Sequence, residues 1–346
     1  MTKMNTQESL IIIKDPHLSL GFRNKFRKPG WEKDVYSKHL FIANYCIENN
    51  ISKVVSTGDV FDKQSQWSLR QYQANKKILE LYKDNNIEFI SIAGNHDYLE
   101  GRENIKDSAF EEYTLEGYIR YISNYNHIDT DFIRIHGIDY HHVDPTKESK
   151  EDYLQKIKDH LSVDKDKINL LVIHQNITPN KNQVTDFTYD ELSEVLNEIN
   201  IEVIACGHYH VGFKTEYHKN ILFINPWNLW RVVRDYDVRE NIHTPEFVVL
   251  SVDKDKTISY ENIIIPHRSY NEAFDLKSIN FYKEIKKESF DFFNKIQNLE
   301  ELSFDSDDSD SNVIKKIAIE IQKDNAIKVD KNILQEAINN IINSLE

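Results

Sequence analysis

Phe89-Ile90-Ser91-Ile92-Ala93-Gly94-Asn95-His96-Asp97 is a short apolar run that breaks, at a glycine, into amide, imidazole and carboxylate side chains in succession. The same grammar recurs four more times. Ile11-Ile12-Ile13-Lys14 leads into Asp15-Pro16-His17, and Val54-Val55-Ser56-Thr57 leads into Gly58-Asp59-Val60-Phe61-Asp62. Leu170-Leu171-Val172-Ile173 leads into His174, and Val203-Ile204-Ala205-Cys206 into Gly207-His208-Tyr209-His210. Strands buried on both faces of an α/β sheet read as continuous apolar runs, and such sheets bind ligands outside the carboxyl ends of their strands. Five strand ends can therefore converge on one place.

Working outward, residues 32–50 and 68–85 have helical length between the first three runs. Leu40, Ala43 and Ile47 supply an apolar stripe to the first, and Leu69, Tyr72, Leu79 and Tyr82 to the second. Residues 9–93 thus read strand, helix, strand, helix, strand, with parallel pairing expected. Further on, Phe132-Ile133-Arg134-Ile135 and Ile138-Asp139-Tyr140 flank a His136-Gly137 turn. Helices near 151–161 and 189–199 alternate with the strands that lead to His174 and Gly207. Three closing strands are expected over 221–224, 247–250 and 258–265, completing an α/β two-sheet sandwich over residues 1–266. A small helical cap-like segment over 267–303 follows. An acidic, serine-rich linker over 304–312 comes next, and then a helical pair over 313–346 with Ile314, Ile317, Ile321 on one stripe and Leu334, Ile338, Ile341, Leu345 on the other.

Composition narrows the function. A chain of 346 residues, 40% of them apolar, can bury a sizeable core. Its formal charge of −14 argues against broad electrostatic coating of nucleic acid, so contact with phosphates has to rely on local cationic patches or bound metal. Neither a charged-then-apolar leader pattern nor an apolar run of roughly 18 residues is present, which predicts a soluble, cytoplasmic protein without membrane contact. Cys46 and Cys206 sit in apolar surroundings far apart in sequence and read as buried free thiols.

The chemistry of the five motifs is that of divalent metal. Asp, His and Asn offer hard oxygen and borderline nitrogen donors, a mixture suited to Mn²⁺, Fe or Zn²⁺ more than to Mg²⁺. Asp15 and His17, two residues apart on an extended loop, can face one ion. Asp59 has two oxygens and can bridge two. Asn95 adds an amide oxygen, and His174, His208 and His210 add ring nitrogens. His96 points away from its neighbour Asn95 and is better placed for substrate. A protonated His96 can stabilise transition-state charge or protonate the leaving oxygen, with Asp97 as the carboxylate that orients it. Two ions roughly 3.5 to 4 Å apart clamp the attacking and leaving oxygens of a displacement at phosphorus.

In their order and content these motifs resemble those of the calcineurin-like metallophosphoesterase superfamily throughout residues 11–210. The resemblance implies one ion held by Asp15, His17, Asp59 and His210 and a second by Asp59, Asn95, His174 and His208, most naturally Mn²⁺, with water activated between them as nucleophile. Within the superfamily the chain is most similar to the DNA-repair nuclease subunit of the SbcD type and its phage recombination-endonuclease counterparts. That narrower likeness rests on Gly58-Asp59-Val60-Phe61-Asp62, the long spacer of residues 98–173, the Ile135-His136-Gly137-Ile138-Asp139-Tyr140 segment and the helical tail. It implies a DNA phosphodiesterase, exonuclease or endonuclease, serving repair and recombination with an SMC-like ATPase of the SbcC type docked on the C-terminal helices. The resembled nucleases dimerise, which leaves a homodimer open. Two departures stand out: Asp62, where some related nucleases carry His, and Asn225-Pro226-Trp227-Asn228-Leu229-Trp230-Arg231, where a Gly-Ser turn is more usual.

For DNA contact the sequence offers Arg23, Lys25, Arg27 and Lys28, interleaved with Phe22 and Phe26, and a sparser set of Arg231, Arg234 and Arg239. Two alternatives to a DNA nuclease remain, since fold and metal site do not determine the substrate. One is a phosphomonoesterase or cyclic-nucleotide phosphodiesterase on the same scaffold. The other is a non-catalytic subunit that binds DNA and the ATPase.

Overall fold

The computed structural model describes residues 7–20, 26–62, 68–99, 102, 104–141, 149–182, 185–229 and 243–278. In chain order the first half contains β1 (Gln7–Ile13), α1 (Trp31–Glu48), β2 (Lys53–Ser56), α2 (Leu69–Lys83), β3 (Glu88–Ser91), α3 (Ala109–Leu115), β4 (Arg120–Tyr121), β5 (His127–Asp129) and β6 (Ile133–Ile138). The second half contains α4 (Lys150–His160), β7 (Ile168–Ile173), β8 (Ile177–Thr178), β9 (Phe187–Thr188), α5 (Tyr189–Glu198) and β10 (Val203–Cys206). It closes with β11 (Glu216–His218), β12 (Ile221–Ile224), β13 (Glu246–Asp253), β14 (Ile258–Ile264) and α6 (Tyr270–Ala273).

Two six-stranded sheets result, ordered β14-β13-β1-β2-β3-β4 and β11-β12-β10-β7-β6-β5. Pairing is parallel across β1, β2, β3 and β4 and across β6, β7, β10 and β12; antiparallel β13, β14, β5 and β11 complete the edges. The apolar runs are continuous because each central strand is covered on both faces. In β1, Leu10 and Ile12 join a layer between the sheets with Val55, Ile90, Leu170, Val172, Val203 and Leu250. Ile11 and Ile13, pointing the other way, pack with Ile42, Cys46, Ile78 and Tyr82 of α1 and α2. A third cluster seals the outer face of the second sheet, where Tyr153 and Ile157 of α4 and Leu192 and Leu196 of α5 meet Leu171 and Ile204. Side-chain caps start the helices cleanly: Ser68 with Gln71, Ser149 with Asp152 and Thr188 with Glu191 each form a reciprocal capping box.

Register aligns the strand ends. Ile13 lies opposite Ser56, and Ser56 opposite Ser91; in the other sheet Ile138 lies opposite Ile173, and Ile173 opposite Cys206. All five motif loops consequently leave from the carboxyl rims of the two sheets. Backbone pairing carries on past the strands, with His17 N–H donating to Asp59 O at 2.9 Å, Leu18 N–H to Val60 O at 2.7 Å and Gly207 N–H to Ile173 O at 2.9 Å.

Several expectations are corrected. In α1 the buried face is Val35, Lys38, His39, Ile42, Ala43 and Cys46, while Leu40 and Ile47 are 37% and 49% exposed. Similarly in α2, Asn75, Ile78, Leu79 and Tyr82 are buried and Leu69 is exposed. His136-Gly137 is not a turn: both lie inside β6, paired with Leu171 and Val172. Glycine is needed there because a Cβ would fall 2.7 Å from Ile122 Cγ2. Among the closing strands, β12 joins the second sheet and only β13 and β14 return to the first.

The chain divides into two compact units, Met1–Phe274 and Asp275–Glu346, so the first runs beyond residue 266 and takes in α6. In the second unit the described residues are 275–278, where Ser278 Oγ donates to Asp275 Oδ2 at 2.6 Å. Most of the cap-like segment, the acidic linker and the helical pair lie outside the described residues. Among the described residues no helix is long and apolar enough to cross a membrane, and Cys46 and Cys206 are buried free thiols.

Candidate metal centre

The five loops bring the seven metal-ligand candidates into two adjoining groups. Asp15, His17 and His210 form one cluster and Asp59, His174 and His208 another, each with ligand atoms within 4.8 Å of one another. Asp59 Oδ2 lies between them, 3.6 Å from His17 Nε2 and 3.3 Å from His174 Nε2. Asn95 enters the second group, its Oδ1 3.3 Å from His174 Nε2. In the first group His17 Nε2 and His210 Nε2 are 2.9 Å apart.

Tight backbone geometry makes this convergence feasible. Asp15, His17, Asp59 and His208 all take left-handed backbone angles, with φ of 38°, 45°, 47° and 76°. Such non-glycine strain concentrates where neighbouring structure over-determines a loop for function. At Gly207 a Cβ would stand 2.6 Å from His174 Nδ1 and 2.7 Å from Asp15 Oδ1, so only a glycine lets the last loop approach the others.

Partners outside the ligand groups aim the donors. His174 Nδ1–H donates to Thr57 O at 2.7 Å, and since a carbonyl can only accept, Nε2 is the ring nitrogen that faces Asp59 and Asn95 and can give up its proton to bind an ion. Asp15 accepts from Thr57 Oγ1 at 3.0 Å and from His208 N–H at 3.0 Å. His96 N–H donates to Asp59 Oδ1 at 2.9 Å, leaving Oδ2 as the atom shared by both groups. Among the described residues His17 Nδ1 is buried without a hydrogen-bond partner, and Asp62 Oδ1 lies 3.6 Å from it. Convergent, buried nitrogen and oxygen donors match what a pair of divalent cations requires.

Electrostatics agree with that fit. Burial opposes a charged His174, but the Asp59 carboxylate beside it raises the imidazole to about 9. Burial likewise opposes ionised Asp59, and His174 and His17 overcome it, holding the carboxyl well below the usual range. In the metal-free site one proton on His174 thus stands where a cation's charge belongs. Burial keeps His17 well below its ordinary value and takes His208 down to about 3, with the positive His174 adding to the effect. Both are therefore neutral, as ligation demands.

His96 stands at the mouth, half-buried, its ring centroid 5.1 Å from that of His17. Its Nδ1–H donates to Asp62 O at 2.8 Å, which fixes the orientation of the ring. Asp97 plays a different part from the one expected. Its carboxylate accepts from Val60 N–H at 3.2 Å, Phe61 N–H at 3.1 Å and Gly94 N–H at 2.9 Å. It staples the Asp59 loop to the Asn95 loop, and the group that orients His96 is the Asp62 carbonyl.

Other positions were invisible as site residues. Thr57 works mainly through its carbonyl, which leaves no trace in sequence. Asp139, whose Oδ1 accepts from Ala93 N–H at 2.7 Å, braces the end of β3; burial raises its carboxyl to about 6. A lone acid at the end of an apolar strand was its available signal. Tyr140 sets its ring centroid 5.0 Å from that of His208. Of the cationic residues proposed for DNA, Arg27 stacks on Phe274 at 4.2 Å and Lys28 Nζ donates to Asn271 O, both tied to the α6 region. Arg23, Lys25, Arg231, Arg234 and Arg239 lie outside the described residues.

A fold of two β-sheets whose rims hold Asp-x-His, Gly-Asp, Gly-Asn-His-Asp and Gly-His-x-His loops around two ligand groups defines a class of metal-dependent phosphoesterase. The chain matches the calcineurin-like phosphoesterase family over residues 12–212, more than half its length, and belongs to that family. The fold of this family uses two divalent metal ions.

Among curated proteins it is 29% identical over 169 residues to the DNA double-strand break repair protein Mre11 of Sulfolobus acidocaldarius, covering 49% of this chain and 41% of that protein. It is 32% identical over 88 residues to the protein of the same name from Saccharolobus solfataricus, covering 25% of this chain and 22% of that one. The chain thus spans less than half the length of these relatives. Similar solved structures include a dimetal phosphatase from Danio rerio, with a TM-score of 0.45, 11% identity and coverage of 75% of this chain and 99% of that one. Vps29 from Chaetomium thermophilum aligns with a TM-score of 0.29, 12% identity and coverage of 75% and 100%.

Proposed function

We propose that this chain is a two-metal DNA nuclease that hydrolyses phosphodiester bonds with Mn²⁺, acting as the nuclease subunit of an SbcCD-like repair or recombination complex. The observation that carries the hydrolytic part is the position of Asp59 Oδ2, within 3.6 Å of His17 Nε2 and 3.3 Å of His174 Nε2. One carboxylate oxygen between two sets of nitrogen donors is how a bridged pair of ions is held. Support for DNA as the substrate comes from the similarity to proteins named for double-strand break repair.

In this reading Asp15, His17, Asp59 and His210 hold one ion and Asp59, Asn95, His174 and His208 the other. When bound, the ions supply Lewis acidity at the phosphoryl oxygens and activate water as nucleophile. The chain's own residues do the rest. Thr57 and Asp97 hold the loops in register. His96, with Nδ1–H committed to Asp62 O, presents Nε2 to the phosphate, where a proton on it stabilises developing negative charge or passes to the leaving oxygen. Residues 313–346 provide the docking segment for an SMC-like ATPase of the SbcC type, and a homodimer is part of the same proposal.

The test is Mn²⁺-dependent cleavage of single- and double-stranded DNA by the purified chain, beside a phosphomonoester assay, with Asp59→Ala and His96→Ala as controls. DNA cleavage lost in both variants is the expected result. Phosphomonoester turnover without DNA cleavage overturns the choice of substrate. Metal uptake without turnover, even with an ATPase partner present, means a binding subunit.

A further inference from the structure

Lys14 is the residue of the five motifs that metal chemistry leaves unexplained. It ends the apolar run of β1, directly before Asp15, and is fully buried. Burying an ammonium is costly unless it is well satisfied by hydrogen bonds, so its partners show what the position is for. Lys14 Nζ donates to Val211 O at 3.1 Å and to Asn225 Oδ1. Val211 directly follows His210 in the last motif loop. Asn225, just past β12, donates from Nδ2 to Ile177 O at 3.3 Å, and its own carbonyl accepts from Phe213 N–H at 2.8 Å. Lys14 O in turn accepts from Leu229 N–H at 3.3 Å.

These contacts gather segments that are remote in sequence. The first loop carries Asp15 and His17, the last carries His208 and His210, and residue 177 follows the loop of His174. We propose that Lys14, with Asn225, is a positioning residue of the metal centre: from beneath it, the ammonium clamps the His210 loop to the Asp15 loop and so sets the first ligand group. The inference rests on the two-ion reading above. Its consequence is graded. Asp15, His17 and His210 all sit on the two clamped loops, whereas in the second group only His208 does, Asn95 and His174 being held by Asp97, by Thr57 O and by the rim of β3 and β7. Partners that orient metal ligands in this way are worth roughly 10- to 100-fold in metal affinity.

The experiment is calorimetric titration of Mn²⁺ into the full chain, with each binding step assigned by its loss in His210→Ala or in His174→Ala. Lys14→Met keeps the length of the side chain and removes the charge. It is expected to weaken the step assigned to the first group by roughly 10- to 100-fold while the other changes by less than about threefold. Asn225→Leu is expected to do the same, and Asn225→Asp, which keeps the acceptor for Nζ but loses the donor to Ile177 O, is expected to leave the first step tighter than Asn225→Leu does. Equal weakening of both steps in Lys14→Met, or no weakening, overturns the proposal. If Lys14→Met does not fold, the Asn225 pair decides: matching affinities in the Leu and Asp variants overturn it. A wild-type chain that takes up no Mn²⁺ removes the two-ion reading itself, a result distinct from failure of the clamp.

Discussion

Gly207→Ala probes the packing of the metal centre through a single added carbon. A Cβ at this position would lie 2.4 Å from Thr57 O, 2.6 Å from His174 Nδ1 and 2.7 Å from Asp15 Oδ1, where ordinary contact begins at 3.4 Å. Relief requires movements of about 0.7 to 1.0 Å by the Thr57 backbone and by groups in both ligand sets, against a tolerance of about 0.2 Å in metal–ligand distances. Neither side chain is free to swing. His174 is tied through Nδ1–H to Thr57 O, and Asp15 accepts from Thr57 Oγ1 and His208 N–H.

Overpacking of this kind costs about 1–3 kcal/mol. The melting temperature of the metal-free protein should fall by about 2–4 °C for each kcal/mol. The larger effect belongs to the metal. Displaced ligands on both sides of Asp59 should weaken Mn²⁺ uptake at both sites by at least about tenfold, read by calorimetric titration alongside thermal melts with and without Mn²⁺. A variant that melts a few degrees lower yet binds two ions with wild-type affinity would refute the claim that the Gly207 approach sets the site.

Three further outcomes follow from the same geometry. Asp97→Ala removes the acceptor of three buried N–H groups, so it should destabilise by about 3 kcal/mol or more in urea unfolding, whereas a residue serving only to orient His96 would leave stability near wild type. His174 is raised from 6.5 to about 9 in the metal-free protein, so its contribution to stability is fully present below 6.5 and lost as pH rises through about 9. Melting temperatures in EDTA should fall across that window, saturating Mn²⁺ should abolish the fall by replacing the proton, and a flat or rising metal-free profile would contradict the assignment. In α1, Leu40→Ala and Ile47→Ala should stay within about 0.5 kcal/mol of wild type, while buried Ile42→Ala should cost about 2–5 kcal/mol; the reverse order would mean that the exposed face has been misidentified.

Much of this architecture is legible in the sequence because double-sided burial leaves its mark. β1, β3, β7 and β10 are read as strands from apolar runs that no exposed face interrupts, and the ligands follow at their ends. Helix faces are harder. Around α1, Tyr36, Phe41 and Tyr45 are partly buried beside Ile42 and Cys46, so the apolar arc is broad and a stripe through Leu40 and Ile47 fits the period equally well. His136-Gly137 looks like a turn because glycine punctuates loops, yet this glycine exists to let β6 approach Ile122, a contact known only once the chain is folded.

The site divides along the same line. The candidate metal ligands announce themselves by side-chain chemistry, and the fold brings all seven together at the rims of the two sheets. Residues that act through backbone atoms or from below do not. Thr57 and Asp62 orient histidines with their carbonyls, and Asp97, beside His96 in sequence, spends its carboxylate on the neighbouring loop. Adjacency in sequence is a poor guide where loops from two sheets interleave.

The central claim is that five loops build one Asp59-bridged pair of metal sites. It is tested most directly by a crystal structure of the chain with Mn²⁺, with the ions located by anomalous scattering. Two peaks roughly 3.5 to 4 Å apart are expected, one bounded by Asp15, His17, Asp59 and His210 and the other by Asp59, Asn95, His174 and His208. A single ion, or two ions that do not share Asp59, would contradict it.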